Sequence, residues 1–278
     1  MAIGTVYHSN SIPGMMTVGG DIDLYAIDST QKYALGTQIT RQDGCKYRYA
    51  NFVTATIQGN LVAHVNADTD HISTDALLVA PAVAYQMPDE QPGLYPGAIG
   101  SKYLIMTHAS MIKDQFAGGY ITMNADTGYG YIYRIKGNTA SNDPVSGKFR
   151  IELYDKLQVA IDATTDSGIV GSLYSDLLVA SHATNWVVVG VTMANMTANT
   201  FGWICTHGVC TCLQSDTSVA GDVIQLSATV AGAYSSLGIG STGVSQVIIS
   251  GGLAIIGYVI QIPASNGTGY GTIYLQLE

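Results

Sequence analysis

Polar and apolar residues alternate along much of the chain, and no segment carries a long 3.6-residue apolar stripe, so the pattern predicts strands and little helix. The clearest run is 35–52, LGTQITRQDGCKYRYANF, where Asp43-Gly44 separates two alternating segments. An Asp-Gly pair in that place predicts a hairpin with a type I′ turn, which needs φ > 0 at both central residues. Gly59 then opens a further strand, NLVAHV. Residues 86–100, QMPDEQPGLYPGAIG, and 137–147, GNTASNDPVSG, are punctuated by Pro, Gly and Asn and read as loops. KFRIELYDKLQVAI returns to alternation, and SLYSDLLVA at 172–180 fits a strand or a short helix.

Several strings recur. GYITMNADTGYGYIYRI at 119–135 is echoed by GYVIQIPASNGTGYGTIYLQL at 257–277. Each starts Gly-Tyr-aliphatic, crosses a small polar turn and re-enters a strand as Thr-Gly-Tyr-Gly-x-Ile-Tyr. FGWICTHGVCTCLQSDTSVAGDVIQLS at 201–227 echoes the earlier hairpin, with His207-Gly208 in place of Asp43-Gly44 and Gly221 in place of Gly59. Phe116 and Phe201 each follow a short polar stretch and precede Gly plus an aromatic. Such repetition predicts duplicated modules. The expected architecture is all-β: two related β-barrel or sandwich-like modules, 35–165 and 166–278, behind an extended N-terminal arm at 1–34, with the boundary near TTDSG at 164–168.

Composition narrows the partners. At 278 residues with 47% hydrophobic content, the chain can bury a substantial core as one large β domain or two ordinary ones. Its charged fraction of 11% is under half the usual level of about 25%. A neutral-polar surface of this kind suits an assembly, since little charge keeps copies apart. With 11 basic and 20 acidic side chains, net −9 and no basic stripe, there is no electrostatic basis for a nucleic-acid partner. The uncharged run 243–262 is long enough for a bilayer. Gly251-Gly252 at its middle, between β-branched segments, makes two buried strands the better reading, so no membrane partner is expected. MAIGTVYHSN lacks the basic and apolar regions of a signal peptide, and 4 cysteines are too few for a disulfide scaffold, so folding in a reducing cytoplasm is expected.

Candidate chemistry is sparse. His64, Asn66, Asp68 and Asp70 begin like a calcium loop, but His71 stands where the turn glycine belongs and Leu77 where the bidentate acid belongs, which leaves a solvated loop. In WICTHGVCTCL, a tight turn at His207-Gly208 would set Cys205 across from Cys210 and Trp203 across from Cys212. Three readings stay open there: small buried hydrophobes, a cross-strand thiol pair of Cys205 and Cys210 able to oxidise, and a metal site. GIGSTG at 238–243 matches a dinucleotide fingerprint, but β-rich sequence follows it and no acid lies at the right distance. No nucleophile elbow, Walker loop or His-Glu-x-x-His is present, and Asp21/Asp23 and Asp89/Glu90 read as loop acids. No catalytic, metal or cofactor residues are therefore assigned. The two-residue period puts Tyr129, Tyr131 and Tyr133 on one face, matched in the echo by Tyr270, Thr272 and Tyr274, with Ile273, Leu275 and Leu277 opposite. These tyrosines are candidates for a subunit, partner or glycan interface, or for a half-buried sheet face.

The strings Asp-Gly-x-x-Tyr-Arg-Tyr at 43–49, FAGGYITMNADTGYGYIYRI at 116–135, TANTFGWICTHGV at 197–209, AGDVIQLSATVAGA at 220–233 and Ile-Gly-Tyr-Val at 256–259 occur in an order that resembles structural proteins of tailed bacteriophages, especially marine and environmental ones. Such proteins are described as head decoration (capsid cement) or virion proteins. The resemblance covers about residues 35–278. It implies a non-enzymatic protein made in the host cytoplasm that decorates and stabilises the outside of a capsid. Its partners would be itself, as a homotrimer at local threefold positions, and the major capsid protein. The cysteines at 205, 210 and 212 depart from the polar and small residues usual there, which weighs against a metal role. The alternative is a tail- or fibre-associated adhesin or glycan-binding β module that uses the Tyr faces.

Overall fold

Alternation builds strands throughout: the computed structural model contains no helix among its described residues, which are 15–17, 22–64, 71–72, 78–79, 82, 87, 91–108, 110–142, 146–162, 164–181, 187–237, 255–267 and 269–278. The chain is all-β, as its periodicity predicts, and divides into two compact units.

The first unit comprises residues 1–65 and 174–278. Its strands are β1 (Met15–Thr17), β2 (Gln38–Thr40), β3 (Lys46–Phe52) and β4 (Leu61–His64), then, beyond the second unit, β11 (Leu177–Val179), β12 (Val187–Thr192), β13 (Thr200–Gln214), β14 (Val223–Leu226), β15 (Tyr234–Ser236), β16 (Ile255–Gln261) and β17 (Gly269–Gln276). Their eleven-stranded sheet runs β1-β2-β3-β11-β4-β12-β13-β15-β14-β16-β17, with extra pairings of β13 to β3 and to β17. Those extra pairings close the sheet on itself. β3, β11, β4, β12 and β13 form a closed five-stranded barrel, and β13, β15, β14, β16 and β17 form a second ring that shares β13. Closure removes most exposed edges, so each strand's N–H and C=O groups find partners within the unit. Along β3, Tyr47 and Tyr49 enter one core with Trp203, while Ala50 and Phe52 enter another with Ile204. β4 is buried on both faces, which is why LVAH shows no alternation.

The second unit, 66–173, holds β5 (His71–Ile72), β6 (Tyr103–Thr107), β7 (Tyr120–Ala125), β8 (Ile132–Asn138), β9 (Lys148–Leu153) and β10 (Asp166–Val170). They form a six-stranded sheet in the order β5-β10-β7-β8-β9-β6. One core serves it, including Phe116, Ile121, Tyr133, Ile135, Phe149, Ile151 and Ile169.

These units divide the chain differently from the expected modules at 35–165 and 166–278. β3, assigned to the first module, pairs antiparallel with β13 of the second from Thr200↔Phe52 to His207↔Lys46, and 66–173 lies in sequence between β4 and β11. Nor is 22–34 a free arm: Leu24 is buried in the first unit's core, and Asp28 exchanges backbone hydrogen bonds with Phe201 and accepts one from the Tyr49 hydroxyl at 2.8 Å. Residues 1–14 and 18–21 lie outside the described residues.

The predicted hairpins at 43–44, 119–135 and 257–277 are present. The first differs in turn type. Gly44 has φ 84° and Asp43 is not in the positive region, while Gly44 N–H donates to Arg41 O at 3.0 Å. This is a type I turn completed by a left-handed glycine, a geometry that needs φ > 0 at one residue only. Asp43 contributes through its side chain, whose Oδ1 accepts from Cys45 N–H at 2.9 Å.

Candidate functional site

The Tyr stripe does not present one face. Tyr129 lies in the β7–β8 turn, 74% exposed; Tyr131 is exposed beside it; Tyr133 is only 5% exposed and belongs to the core of the second unit. Tyr131 and Tyr133 stack with centroids 6.1 Å apart, so the stripe descends from solvent into the sheet. Its echo has the opposite polarity. Ile132 is 59% exposed whereas its counterpart Ile273 is fully buried, and Tyr274 lies on the outer side of β17, where Tyr133 of the first copy faces inward. A one-residue change of facing swaps the buried and exposed sets of a strand. The two hairpins therefore share a turn and not a packing arrangement. Tyr274 stacks on Tyr258 across the strand pair at 5.1 Å, and its hydroxyl meets His207 Nε2 at 3.1 Å. Ile273 and Leu275 do form the buried opposite face, with Leu277 partly buried against it.

The predicted turn at His207-Gly208 is not there. β13 runs unbroken from Thr200 to Gln214, with its first half on β3 and its second half, from His207, on β17. The strand changes partner at a bulge between Cys205 and His207, followed by Gly208 at φ 99°. A bulge bends a strand and shifts its facing by one residue. Hence Trp203 and Cys205 before it, and Cys210 and Cys212 after it, all face the same core. Cys205 and Cys210 are neighbours along one bent strand, and the Cys210 thiol interacts with that of Cys205. Cys45 joins them from β3's approach: a Cβ built on Gly208 would sit 2.6 Å from Cys45 Sγ.

All four cysteines are free and buried. The Cys205 thiol and then burial push Cys210 well above the ordinary thiol range, and burial raises Cys45 and Cys212 as well. A thiol held neutral in an apolar core is a poor nucleophile. Among the described residues no group of three or more His, Cys, Asp or Glu is placed to hold a metal ion. The core-packing reading of the cysteines is the one the geometry supports.

Other candidates disperse. His64 is buried, with Nδ1 3.0 Å from Ser175 O, while Asn66, Asp68 and Asp70 lie outside the described residues, as do GIGSTG, Asp21, Asp89 and Glu90. Asp23 Oδ1 accepts from Tyr25 N–H at 2.9 Å and so shapes a local turn. Within the apolar run, 255–261 is strand β16 and 243–254 lies outside the described residues; no helix among the described residues is long and apolar enough to cross a membrane.

A feature with no signature in the sequence is a groove of about 440 Å³ on the first unit, lined by Tyr25, Ile57, Gln58, Thr192, Asn195 and Tyr270, among others. Its floor is built by backbone turns. Gly59, at φ 78°, donates to Thr192 O at 2.9 Å, and its O accepts from Leu213 N–H at 2.9 Å. A Cβ on Gly59 would meet the Tyr270 ring at 2.8 Å, so glycine is required both by the conformation and by the ring resting on it. Gln58 N–H donates to Asn195 Oδ1 at 2.8 Å and the Thr192 hydroxyl donates to Ile57 O at 2.7 Å, tying the turn after β12 to that before β4.

No protein-family model, no curated protein and no solved structure matches the chain. Its surfaces are what bear on function. Two stand out: the groove, and the outer face of the six-stranded sheet. On that face Tyr120 pairs with Arg134, Thr122 pairs with Ile132, and the Arg134 guanidinium lies 5.0 Å over the Tyr154 ring. Tyr120, Ile132 and Tyr154 are all exposed there.

Proposed function

We propose that this chain is a non-enzymatic structural protein of a tailed-phage particle, which decorates and stabilises the outside of the capsid through contacts with itself and with the major capsid protein. The observation that carries the reading is the outer face of the second unit's sheet, where Tyr120, Ile132 and Tyr154 stand exposed beside Arg134, whose guanidinium lies over the Tyr154 ring, and the Lys136–Glu152 ion pair. Apolar groups gathered on one sheet face favour a protein partner, because covering them releases water. Tyrosine and arginine are the residues that such contacts favour. The low overall charge of 11% allows many copies to pack side by side on a shell. Weak contacts suffice in that setting, since multivalency over many sites replaces single-site affinity. The resemblance of the motif order to structural proteins of tailed phages supports the same reading, and a homotrimer is the assembly that resemblance implies.

The test is co-sedimentation of the protein with phage particles, with Ile132→Asp as the probe of the face. Ile132 is exposed, so the substitution leaves the fold intact while placing a charge in the contact. The expected result is that wild type sediments with capsids and protects them against heat or low ionic strength, and that Ile132→Asp remains in the supernatant. A protein that never accompanies particles, or a variant that attaches as well as wild type, contradicts the proposal. Light scattering of the free protein tests the trimer separately.

A further inference from the structure

We infer that the groove walled by Tyr25 and Tyr270 is a binding site for a neutral oligosaccharide. This goes beyond capsid attachment and does not depend on it. Tyr25 and Tyr270 are 57% and 43% exposed, so both remain open to a ligand. Between them the lining offers the Gln58 amide, the Asn195 amide and the Thr211 hydroxyl, with Ile57 and Met193 supplying apolar surface, while the buried Thr192 hydroxyl is taken up by Ile57 O. Among the described residues no Lys, Arg, His, Asp or Glu lines it. On a chain of net charge −9, a site without a cation gives no attraction to an anionic ligand. At about 440 Å³ it falls in the usual size range of small-molecule sites, about 300–1,000 Å³.

The chemistry selects a sugar. Amides and hydroxyls each donate and accept, which matches the paired donor and acceptor character of sugar hydroxyls. A tyrosine ring offers an apolar face to the C–H side of a pyranose and a polar tip to its hydroxyls. A proline-rich peptide would also favour tyrosine walls, but its backbone presents chiefly acceptors, and a lining of mixed amides and hydroxyls suits it less. The walls are also pre-organised. Tyr270 is seated against Gly59, Tyr25 follows a turn closed by Asp23, and Asn195 Oδ1 is fixed by Gln58 N–H, so little ordering is left for binding to oppose.

The experiment is saturation-transfer NMR and calorimetric titration of the full chain with cellohexaose, maltohexaose, chitohexaose and mannohexaose. Heparin, polysialic acid and a polyproline peptide serve as comparators. At least one neutral hexasaccharide is expected to bind saturably, with transfer to its ring protons. Tyr25→Ala and Gln58→Ala are each expected to weaken it by about tenfold or more, while Tyr129→Ala, an exposed tyrosine of the other unit, leaves it unchanged. Thermal melting checks that the variants fold, and Gln58→Ala decides the matter if Tyr25→Ala does not. The inference is overturned if no neutral sugar binds at millimolar concentration, if binding survives both groove substitutions, or if heparin, polysialic acid or polyproline binds more tightly than every neutral sugar. Because the assay uses the isolated protein, its failure leaves capsid attachment untouched, and failure of attachment leaves the groove untouched.

Discussion

Gly208 is where β13 passes from one ring to the other, and replacing it with alanine probes that corner directly. Two costs combine. The residue sits at φ 99°, outside the conformations an L-residue adopts readily, which costs about 1–2 kcal/mol. The new methyl would also lie 2.6 Å from Cys45 Sγ, 3.0 Å from Cys45 Cα and 3.1 Å from Cys45 Cβ. Overpacking of that kind costs about 1–3 kcal/mol, and since Cα belongs to the backbone, rotating the thiol away relieves only part of it. The expected total for Gly208→Ala is about 2–5 kcal/mol. Urea unfolding followed by tryptophan fluorescence reads it, because Trp203 lines the same core. Cys45→Ala in the same background removes the closest atom and is expected to recover about 1 kcal/mol, leaving the backbone cost in place. A Gly208→Ala protein within about 0.5 kcal/mol of wild type, the range of an ordinary surface change, refutes the bent-strand account.

Further outcomes follow from the same geometry. The thiols of the native protein are expected to resist Ellman's reagent and all 4 to react in guanidinium, whereas rapid labelling of the folded protein contradicts the closed cluster. Tyr133→Ala is expected to cost about 3–5 kcal/mol in urea unfolding, because it empties a core position, and Tyr131→Ala less than about 1 kcal/mol; similar costs would restore a single Tyr face. The hydroxyl of Thr127, then the hydroxyl and N–H of Thr164, hold the Asp162 carboxyl down at about 2 from its ordinary 3.8. A depressed carboxylate adds stability that is present above its unfolded pKa and lost as pH falls through the folded one. The second unit should therefore weaken between about pH 4 and pH 2, and Asp162→Asn should flatten that segment of the curve. An Asp162 that titrates near 3.8 by NMR removes the basis for this.

Local features were legible in the sequence and long-range ones were not. Asp43-Gly44 marks a hairpin because a left-handed residue is needed between two short-range partners, and Gly44 supplies it. His207-Gly208 carries the same signal but has a different cause. Its glycine serves a bulge in a strand whose partners, β3 and β17, lie far away along the chain, and nothing local distinguishes the two cases. The same distance hid the division into units, since the pairing of Tyr49 with Trp203 spans the whole of 66–173. A turn is the expected means of bringing Trp203, Cys205, Cys210 and Cys212 to one face; they do share a core, but a bulge in a continuous strand brings them there. The groove had no signature at all, because its lining comes from short pieces around Tyr25, Gln58, Asn195, Thr211 and Tyr270. Only Gly59 hinted at it, as a turn glycine whose missing side chain leaves room for a ring.

The proposed role is tested most directly by a cryo-EM reconstruction of intact phage particles that carry this protein. The account predicts ordered β-rich density for the chain on the outer surface of the head, repeated with the shell's symmetry, with the Tyr120–Ile132–Tyr154 face buried against capsid protein or a neighbouring copy. Density on the tail or its fibres, or particles that lack the chain altogether, would contradict it.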